Sequence, residues 1–502
     1  MFRSILKFLA IAVVVAVLAG AVLYQFFGLR AVLDGGGMPR LRFVESSAEQ
    51  AERIERHRAA QRAEFESLRP AEASAGTAAS RPESAEGVAA DPASNDEPDA
   101  GGAPAVASSP AAAVVPPAPA YWTDFRGPLR DGHYRERAIL TRWPSGGLTP
   151  LWKQPVGGGY ASFVIARGRA FTVEQRGASE VAAAYDVRTG QELWTSTWRA
   201  EFRESMGGDG PRATPTWADG QVYVLGAEGE LRVLDEANGR LVWRTNILGD
   251  TRSGNLQWGM AAAPLVVGDE VIVQPGGSDA SVVAYDRRTG MRRWSALDDQ
   301  QSYASPMLVT LDGVRQLLVL SAERLVGVGL ETHDALWEYP WPGPNRINAA
   351  QPLVIGDDRV FVSSGYGMGA AVVEITGGVS GFSVREVWRN NRMKNRFAGS
   401  VLHEGFIYGL DESILACIDA ATGELVWKGG RYGYGQVVLA DGHLIVLTED
   451  GDLALVRATP AGHEELVRFP VLGGKTWNVP ALGDGFLLVR NLAEMAAFDL
   501  RR

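Results

Sequence analysis

Nine residues from an Asp to a Trp recur along this chain, and they constrain its fold more than any other feature. They are DVRTGQELW at 186–194, DEANGRLVW at 235–243, DRRTGMRRW at 286–294 and DAATGELVW at 419–427. In all four the Gly stands four residues before the Trp. Such fixed spacing has a mechanical reading. The Asp carboxylate pins a turn by accepting hydrogen bonds from amides just downstream. The Gly supplies positive φ, so the chain reverses into a hairpin. The Trp on the returning strand is large enough to wedge between neighbouring sheets. One hairpin of this kind is half of a four-stranded propeller blade. These residues are expected to build the fold and not to carry chemistry.

Trp residues at 152, 194, 243, 294, 337, 388 and 427 continue the spacing, and a further unit, DLALVRATPAGHEELVRFP, ends at Phe469. A repeat of about 40–50 residues in a chain of 502 means an array. The expected fold is all-β: an eight-bladed β-propeller of four-stranded antiparallel blades, or seven blades if the Phe469 unit forms none. Trp152 lies in LTPLWKQPV with no hairpin before it, and the chain stops soon after Asp499, before an outer strand. The strand at 151–156 is therefore expected to complete the last blade. Closing the ring this way removes free edges.

The N-terminal part reads differently. Residues 8–24 carry no charge, with Arg3 and Lys7 before them and Arg30 after. This predicts a transmembrane anchor over 1–30, with a cleaved signal as the alternative. The Arg and Lys placement puts the following chain on the exported side. The expected location is the bacterial inner membrane, single-pass, with the C-terminal domain in the periplasm or otherwise on the exported side. Residues 45–69 favour helix, with Glu49–Arg53 and Glu52–Arg56 pairs and a thin apolar stripe of Ile54, Phe65 and Leu68. They read as a solvated helical stalk. Residues 70–120 are Ala, Pro, Ser, Gly and acid, and read as a disordered tether. The folded domain is expected over 121–502.

The formal net charge of −10 argues against general nucleic-acid binding. The single cysteine, Cys417, lies in an apolar strand and reads as a small buried hydrophobe. Six scattered His residues show no zinc-ligand spacing, and no GxSxG, Walker, HExxH or EF-hand pattern occurs.

The Asp-x-x-Thr-Gly-x-x-x-Trp phrase resembles the repeat of the pyrroloquinoline-quinone (PQQ) propeller superfamily. Two longer stretches, WTDFRGPLRDG through TVEQRG and RMKNRFAGS through MAAFDL, are similar to bacterial membrane-anchored PQQ-binding-like β-propeller repeat proteins. The resemblance covers 121–502. The superfamily holds quinoprotein alcohol dehydrogenases and a non-enzymatic outer-membrane-assembly propeller. The resemblance implies that an enzyme of this kind would use a vicinal disulfide, an acid and amide set holding Ca²⁺, an Asp base and a Trp under the quinone. A vicinal disulfide is impossible with Cys417 alone, and no Asp here is matched to that base.

Loops leading into the innermost strands should ring one mouth of the central channel. Aromatic and cationic residues recur in them, with asparagines among them: Tyr160, Arg212, Trp258, Tyr303, Asn348, Lys394, Asn395, Arg396, Tyr432, Trp477 and Asn478. Flat rings stack and cations pair with carboxylates, so the set suits a planar or anionic ligand. Glu174 and Arg176 in the first blade and Arg490, Asn491 and Glu494 in the last are expected to meet across the closure. An ion pair is the first reading there and a Ca²⁺ site the second. The functional expectation is a monomeric, exported binding or scaffold module that takes a protein or a small anionic or aromatic ligand. The alternative is a PQQ- and Ca²⁺-dependent oxidoreductase of the alcohol or sugar dehydrogenase type.

Overall fold

The computed structural model describes residues 14–15, 18–20, 22–23, 29–33, 38–68, 120–378 and 381–502. From Ala120 on, the chain forms eight antiparallel blades. Blade 1 runs from Val164–Ala166 to Glu192–Arg199, blade 2 from Thr216–Ala218 to Leu241–Asn246, and blade 3 from Leu265–Val267 to Arg292–Ala296. Blade 4 runs from Met307–Leu311 to Ala335–Pro340, blade 5 from Leu353–Ile355 to Gly381–Asn390, and blade 6 from Val401–His403 to Leu425–Arg431. Blade 7 runs from Gln436–Ala440 to Glu465–Pro470, so the Phe469 unit does form a blade. Blade 8 takes Ala481–Gly483, Phe486–Arg490 and Glu494–Asp499, and its outer strand is Trp152–Pro155. The ring is closed as the spacing implies. Two short strands add to inner edges: Ala120–Trp122 on blade 1, and His133–Tyr134 in parallel on blade 7.

The repeated phrase works at atomic detail as its chemistry requires. Asp186 Oδ1 accepts from the amides of Arg188 and Thr189 at 3.0 and 2.8 Å, and Asp235, Asp286 and Asp419 do the same in their blades. Gly190, Gly239 and Gly290 share φ 72°, and Gly423 has φ 75°. Strand pairing shifts by one residue beside each Trp, a bulge that turns the indole toward the next blade. There the Trp194, Trp243, Trp388 and Trp427 Nε1 groups donate to the carbonyls of Glu236, Arg287, Ala420 and Thr459 at 2.8–3.0 Å. Trp152 does the same to Val187 across the closure, at 2.9 Å. Trp294 differs: the next blade carries His333 (φ 61°) where the blades facing Trp152, Trp194, Trp243 and Trp388 have Gly. Its indole stacks on that imidazole at 4.2 Å, and its N–H turns back to Glu270.

A Cβ on Gly239 would overlap the Trp194 indole, whereas one on Gly220 (φ 82°) meets nothing within 4 Å. Gly220→Ala should cost about 1–2 kcal/mol for its backbone alone. Gly239→Ala should cost about 1–3 kcal/mol more from overpacking. Chemical denaturation of the two variants checks this.

Glu180, fully buried between blades 1 and 2, accepts from Trp198 Nε1 at 3.0 Å and from the Ala227 amide at 2.9 Å. Burial pushes its carboxyl up to about 7 from an ordinary value of 4.5. The folded state therefore holds a proton that the unfolded state releases. Stability from this group is greatest below pH 4.5 and falls as pH rises to 7, by up to about 3 kcal/mol. The unfolding midpoint should rise between pH 8 and pH 6 in the wild type relative to Glu180→Gln.

The N-terminal part requires a correction. Among the described residues no helix is long and apolar enough to cross a membrane. Within the expected anchor the described residues 14–15, 18–20 and 22–23 are helical, and the strand Leu29–Leu33, paired with Pro39–Phe43, begins at its end. The expected single-pass inner-membrane placement, and the inner membrane as a partner through an N-terminal helix, are not supported. Most of 1–30, and residues 70–119 of the expected tether, lie outside the described residues. The predicted helix is present as Ser47–Leu68. Its early turns are not solvated, since Ile54 and Arg58 are buried.

Candidate functional site

The floor of the mouth is built by the segment following Trp122. Arg126 and Arg130 are both fully buried and both adopt positive φ, 64° and 56°. Arg126 donates to the carbonyls of Ser400 (2.8 Å) and Val437 (3.3 Å), in blades 6 and 7. Arg130 reaches the opposite side of the ring. It donates to the carbonyls of Ala263 (3.2 Å) and Pro264 (2.5 Å) at blade 3 and Pro306 (2.8 Å) at blade 4, and pairs with Asp124 at 3.0 Å. Two guanidiniums thus bridge blades across the channel and close it beneath the mouth. Burial lowers the pKa of both, that of Arg126 to about 10.

Above this floor stand seven half-buried aromatics: Tyr160, Trp258, Tyr303, Tyr366, Phe397, Tyr434 and Trp477. Each comes from a loop at one end of the ring, and together they come from blades 1, 3, 4, 5, 6, 7 and 8. Trp477 stacks on Tyr160 (5.3 Å between centroids) and meets Phe397 (4.6 Å), which meets Tyr434 (6.2 Å). Trp258 and Tyr303 form a second pair at 6.0 Å. The cations sit on these rings. Lys475 Nζ is 4.3 Å from the Trp477 centroid, and the Arg396 guanidinium lies between Tyr366 (4.2 Å) and Tyr434 (4.6 Å). Arg212 packs against Phe202 at 4.6 Å and Tyr160 at 5.6 Å.

The loop at 201–210 crosses one side of the mouth. Its Gly207 carbonyl accepts from the Tyr160 hydroxyl and Lys475 Nζ, and its Gly208 carbonyl accepts from Arg212 at 2.5 Å. Burial pushes the Tyr303 phenol up to about 12 and the Tyr160 phenol higher still, so both stay neutral donors.

The structure therefore gathers Tyr160, Arg212, Trp258, Tyr303, Arg396 and Trp477 at the mouth. It spends the carboxamides elsewhere. Asn348 Nδ2 donates to the carbonyls of Ser321 and Trp341, Asn395 Nδ2 to Leu410, and Asn478 Nδ2 to Gly159 and Ala161. All three are buried ties between strands and loops. Lys394 pairs with Asp411 at 2.7 Å, and the Tyr432 hydroxyl turns to Glu465 at 2.6 Å. Asn491 caps a turn by accepting from the Ala493 and Glu494 amides. Tyr366 and Phe397 are mouth residues that sequence reasoning did not single out. Phe397 stood in the quoted loop MKNRFAGS, and its place just before an inner strand was the available signal.

Glu174, Arg176 and Arg490 come into one buried cluster. The Glu174 carboxylate takes the Arg176 guanidinium, the Tyr185 hydroxyl (2.9 Å) and the Gly157 amide. Arg490 donates to Thr172 Oγ1 at 2.7 Å and to the Gly157 carbonyl at 2.8 Å. Burial alone would raise the Glu174 carboxyl, but Arg176, Arg490 and Arg58 outweigh it and hold it at about 2.

These residues do not fit PQQ and Ca²⁺. The Asn348 and Asn395 Oδ1 atoms already accept from the Ser364 and Ser400 hydroxyls, and Glu174 is saturated by arginines. Among the described residues no group of three His, Cys, Asp or Glu could hold a metal ion. Trp477 already stacks on Tyr160 and lies against Phe397, so no further ring inserts among these three. Cys417 is buried and unpaired, and burial pushes its thiol up to about 11.

Residues 177–429 match the family described as outer membrane protein assembly factor BamB, a PQQ-repeat family. The chain belongs to this family. Among its relatives, the BamB of Burkholderia pseudomallei is 24% identical over 351 residues, covering 65% of this chain and 84% of the relative. The BamB of Bordetella pertussis is 23% identical over 315 residues, covering 59% and 72%. Solved structures share the fold. A europium-containing methanol dehydrogenase aligns with TM-score 0.58 at 14% identity, covering 76% of this chain and 98% of that one. The quinohemoprotein alcohol dehydrogenase of Comamonas testosteroni aligns with TM-score 0.54 at 14% identity, covering 75% and 80%. The two dehydrogenase likenesses speak to the fold alone.

Proposed function

We propose that this chain is a scaffold that holds a protein partner on the aromatic and cationic mouth of its propeller. The observation that carries this reading is the ring of seven half-buried aromatics interleaved with Arg212, Arg396 and Lys475. Aromatic and Arg residues in a desolvated patch are the usual anchors of protein interfaces. The floor formed by Arg126 and Arg130 makes the mouth a shallow cup, suited to a protruding segment with carboxylates and apolar or flat side chains. The names of the Burkholderia and Bordetella relatives supply a setting, the assembly of outer membrane proteins. The partner is then a component or a client of that process.

The test is a photo-crosslinking amino acid placed in cells at Phe397 or Tyr434 and, as a control, at the exposed Leu241 on blade 2. One protein should crosslink from both mouth positions and not from 241. Phe397→Ala with Trp477→Ala should weaken that interaction at least about tenfold, as expected for an interface anchor. Equal crosslinking from position 241, or none from the mouth, would sink the reading.

A further inference from the structure

The early turns of the helix Ser47–Leu68 occupy a socket at the ring closure. The helix starts with a capping box: the Glu49 amide donates to Ser46 Oγ at 3.2 Å, and the Ser46 amide donates to Glu49 Oε2 at 2.9 Å. Gln50 Nε2 then donates to the carbonyls of Leu492 (2.6 Å) and Val156 (3.1 Å). Those carbonyls flank the two strands that close the ring, Glu494–Asp499 and Trp152–Pro155. Two turns on, Ile54 is fully buried and Arg58 is 1% exposed. The Arg58 guanidinium donates to Gln154 Oε1 (2.9 Å) and the Pro155 carbonyl (3.0 Å), and its Nε lies 3.3 Å from Glu192. It also covers the Tyr185 ring at 5.1 Å.

The charge balance of this socket is informative. It already contains two carboxylates, Glu174 and Glu192, and two arginines, Arg176 and Arg490. Arg58 is a third cation that the cluster does not require for neutrality. The bonds of Arg58 to Gln154, the Pro155 carbonyl and Glu192 are offset in part by the cost of burying its charge. The remaining hold is Ile54 and a few hydrogen bonds. Most of a helix's stability in a protein comes from its packed face, and here that face is only these few residues.

We propose that residues 46–58 form a detachable latch, and that the socket at the blade 8–blade 1 closure is a docking site for an arginine-bearing helix, occupied by this chain's own segment. Arg58 is the key, and the Gln154, Tyr185 and Glu192 side chains are the lock. When the latch leaves, the Val156 and Leu492 carbonyls beside the closure lose Gln50, and the closure strand Trp152–Pro155 loses Arg58 from its Pro155 carbonyl. The latch thereby couples whatever pulls on the N-terminal segment to the closure of the ring.

The experiment uses the full chain carrying Ile54→Ala and Arg58→Ala, with a fluorescent peptide of residues 45–60 as probe. In this variant the amides of 47–58 should lose hydrogen-exchange protection while the blades keep theirs. The peptide should bind the variant saturably, compete with its unlabelled form, and bind the wild type at least tenfold more weakly. A peptide carrying Arg58→Ala should lose at least tenfold in affinity for the variant. Three results would overturn the proposal: a variant that unfolds, unchanged protection over 47–58, or a folded variant with a free socket that does not bind the peptide.

Discussion

Arg130→Met should lower the unfolding free energy by about 3–5 kcal/mol, read by chemical denaturation. Met matches the length and apolar stem of Arg but offers no donors. The substitution would leave the carbonyls of Ala263, Pro264 and Pro306 without the guanidinium, and would strand the Asp124 carboxylate. Each buried acceptor left unmade costs about 1–3 kcal/mol, and an orphaned charge costs more. The comparison that tests the cause is Arg126→Met. Arg126 is just as buried, but it donates to the Ser400 and Val437 carbonyls and pairs with no carboxylate among the described residues. It should cost less, about 2 kcal/mol. Equal losses would mean that filling the channel matters and the Asp124 pair does not. A loss under about 1 kcal/mol at Arg130 would mean that water replaces the guanidinium and the floor is not sealed.

The contrast between these two arginines also shows what a sequence hides. The propeller was legible because its signals are periodic. Asp186, Gly190 and Trp194 recur at one spacing, and the backbone geometry that demands them is the same in each blade. Even the ring closure could be read, since a lone outer strand at Trp152 matched a missing one after Asp499. The floor could not. Arg126 and Arg130 occur once, in a turn-rich stretch, and their burial depends on carbonyls more than a hundred residues away.

The latch was missed for a related reason. The residues that bury its face include Gln50 and Arg58, so a search for apolar periodicity finds only Ile54 and reads a solvated stalk. At the mouth, residue type alone could not separate rings that face the cup from carboxamides that turn away. Asn395 and Asn478 stand beside Arg396 and Trp477, and Asn348 lies in the loop entering blade 5, yet the asparagines satisfy buried carbonyls. A short side chain with both donor and acceptor is suited to that internal task. Long aromatic and cationic side chains project past it.

Glu174→Gln should also cost about 3–5 kcal/mol, through charge and not through shape. The carboxamide fits the same space, but Arg58, Arg176 and Arg490 would then face Glu192 alone. The pH dependence identifies the mechanism. The folded carboxyl is held at about 2, below its ordinary value of 4.5. A depressed carboxyl contributes stability in full above pH 4.5 and loses it as pH falls toward 2. The gap between wild type and Glu174→Gln should therefore be constant from pH 7 to 5 and shrink from pH 4.5 to 3. A gap that stays constant down to pH 3 would assign the loss to packing.

The same variant bears on the latch. Removing the Glu174 charge leaves the socket with an excess of two cations instead of one, which should expel Arg58, the cation that arrives from outside the ring. Hydrogen-exchange protection over 47–58 should then fall in Glu174→Gln at pH 7 while the blade strands stay protected. If the strands open together with the helix, the cluster holds the ring itself, and Arg58 is a fixed part of it.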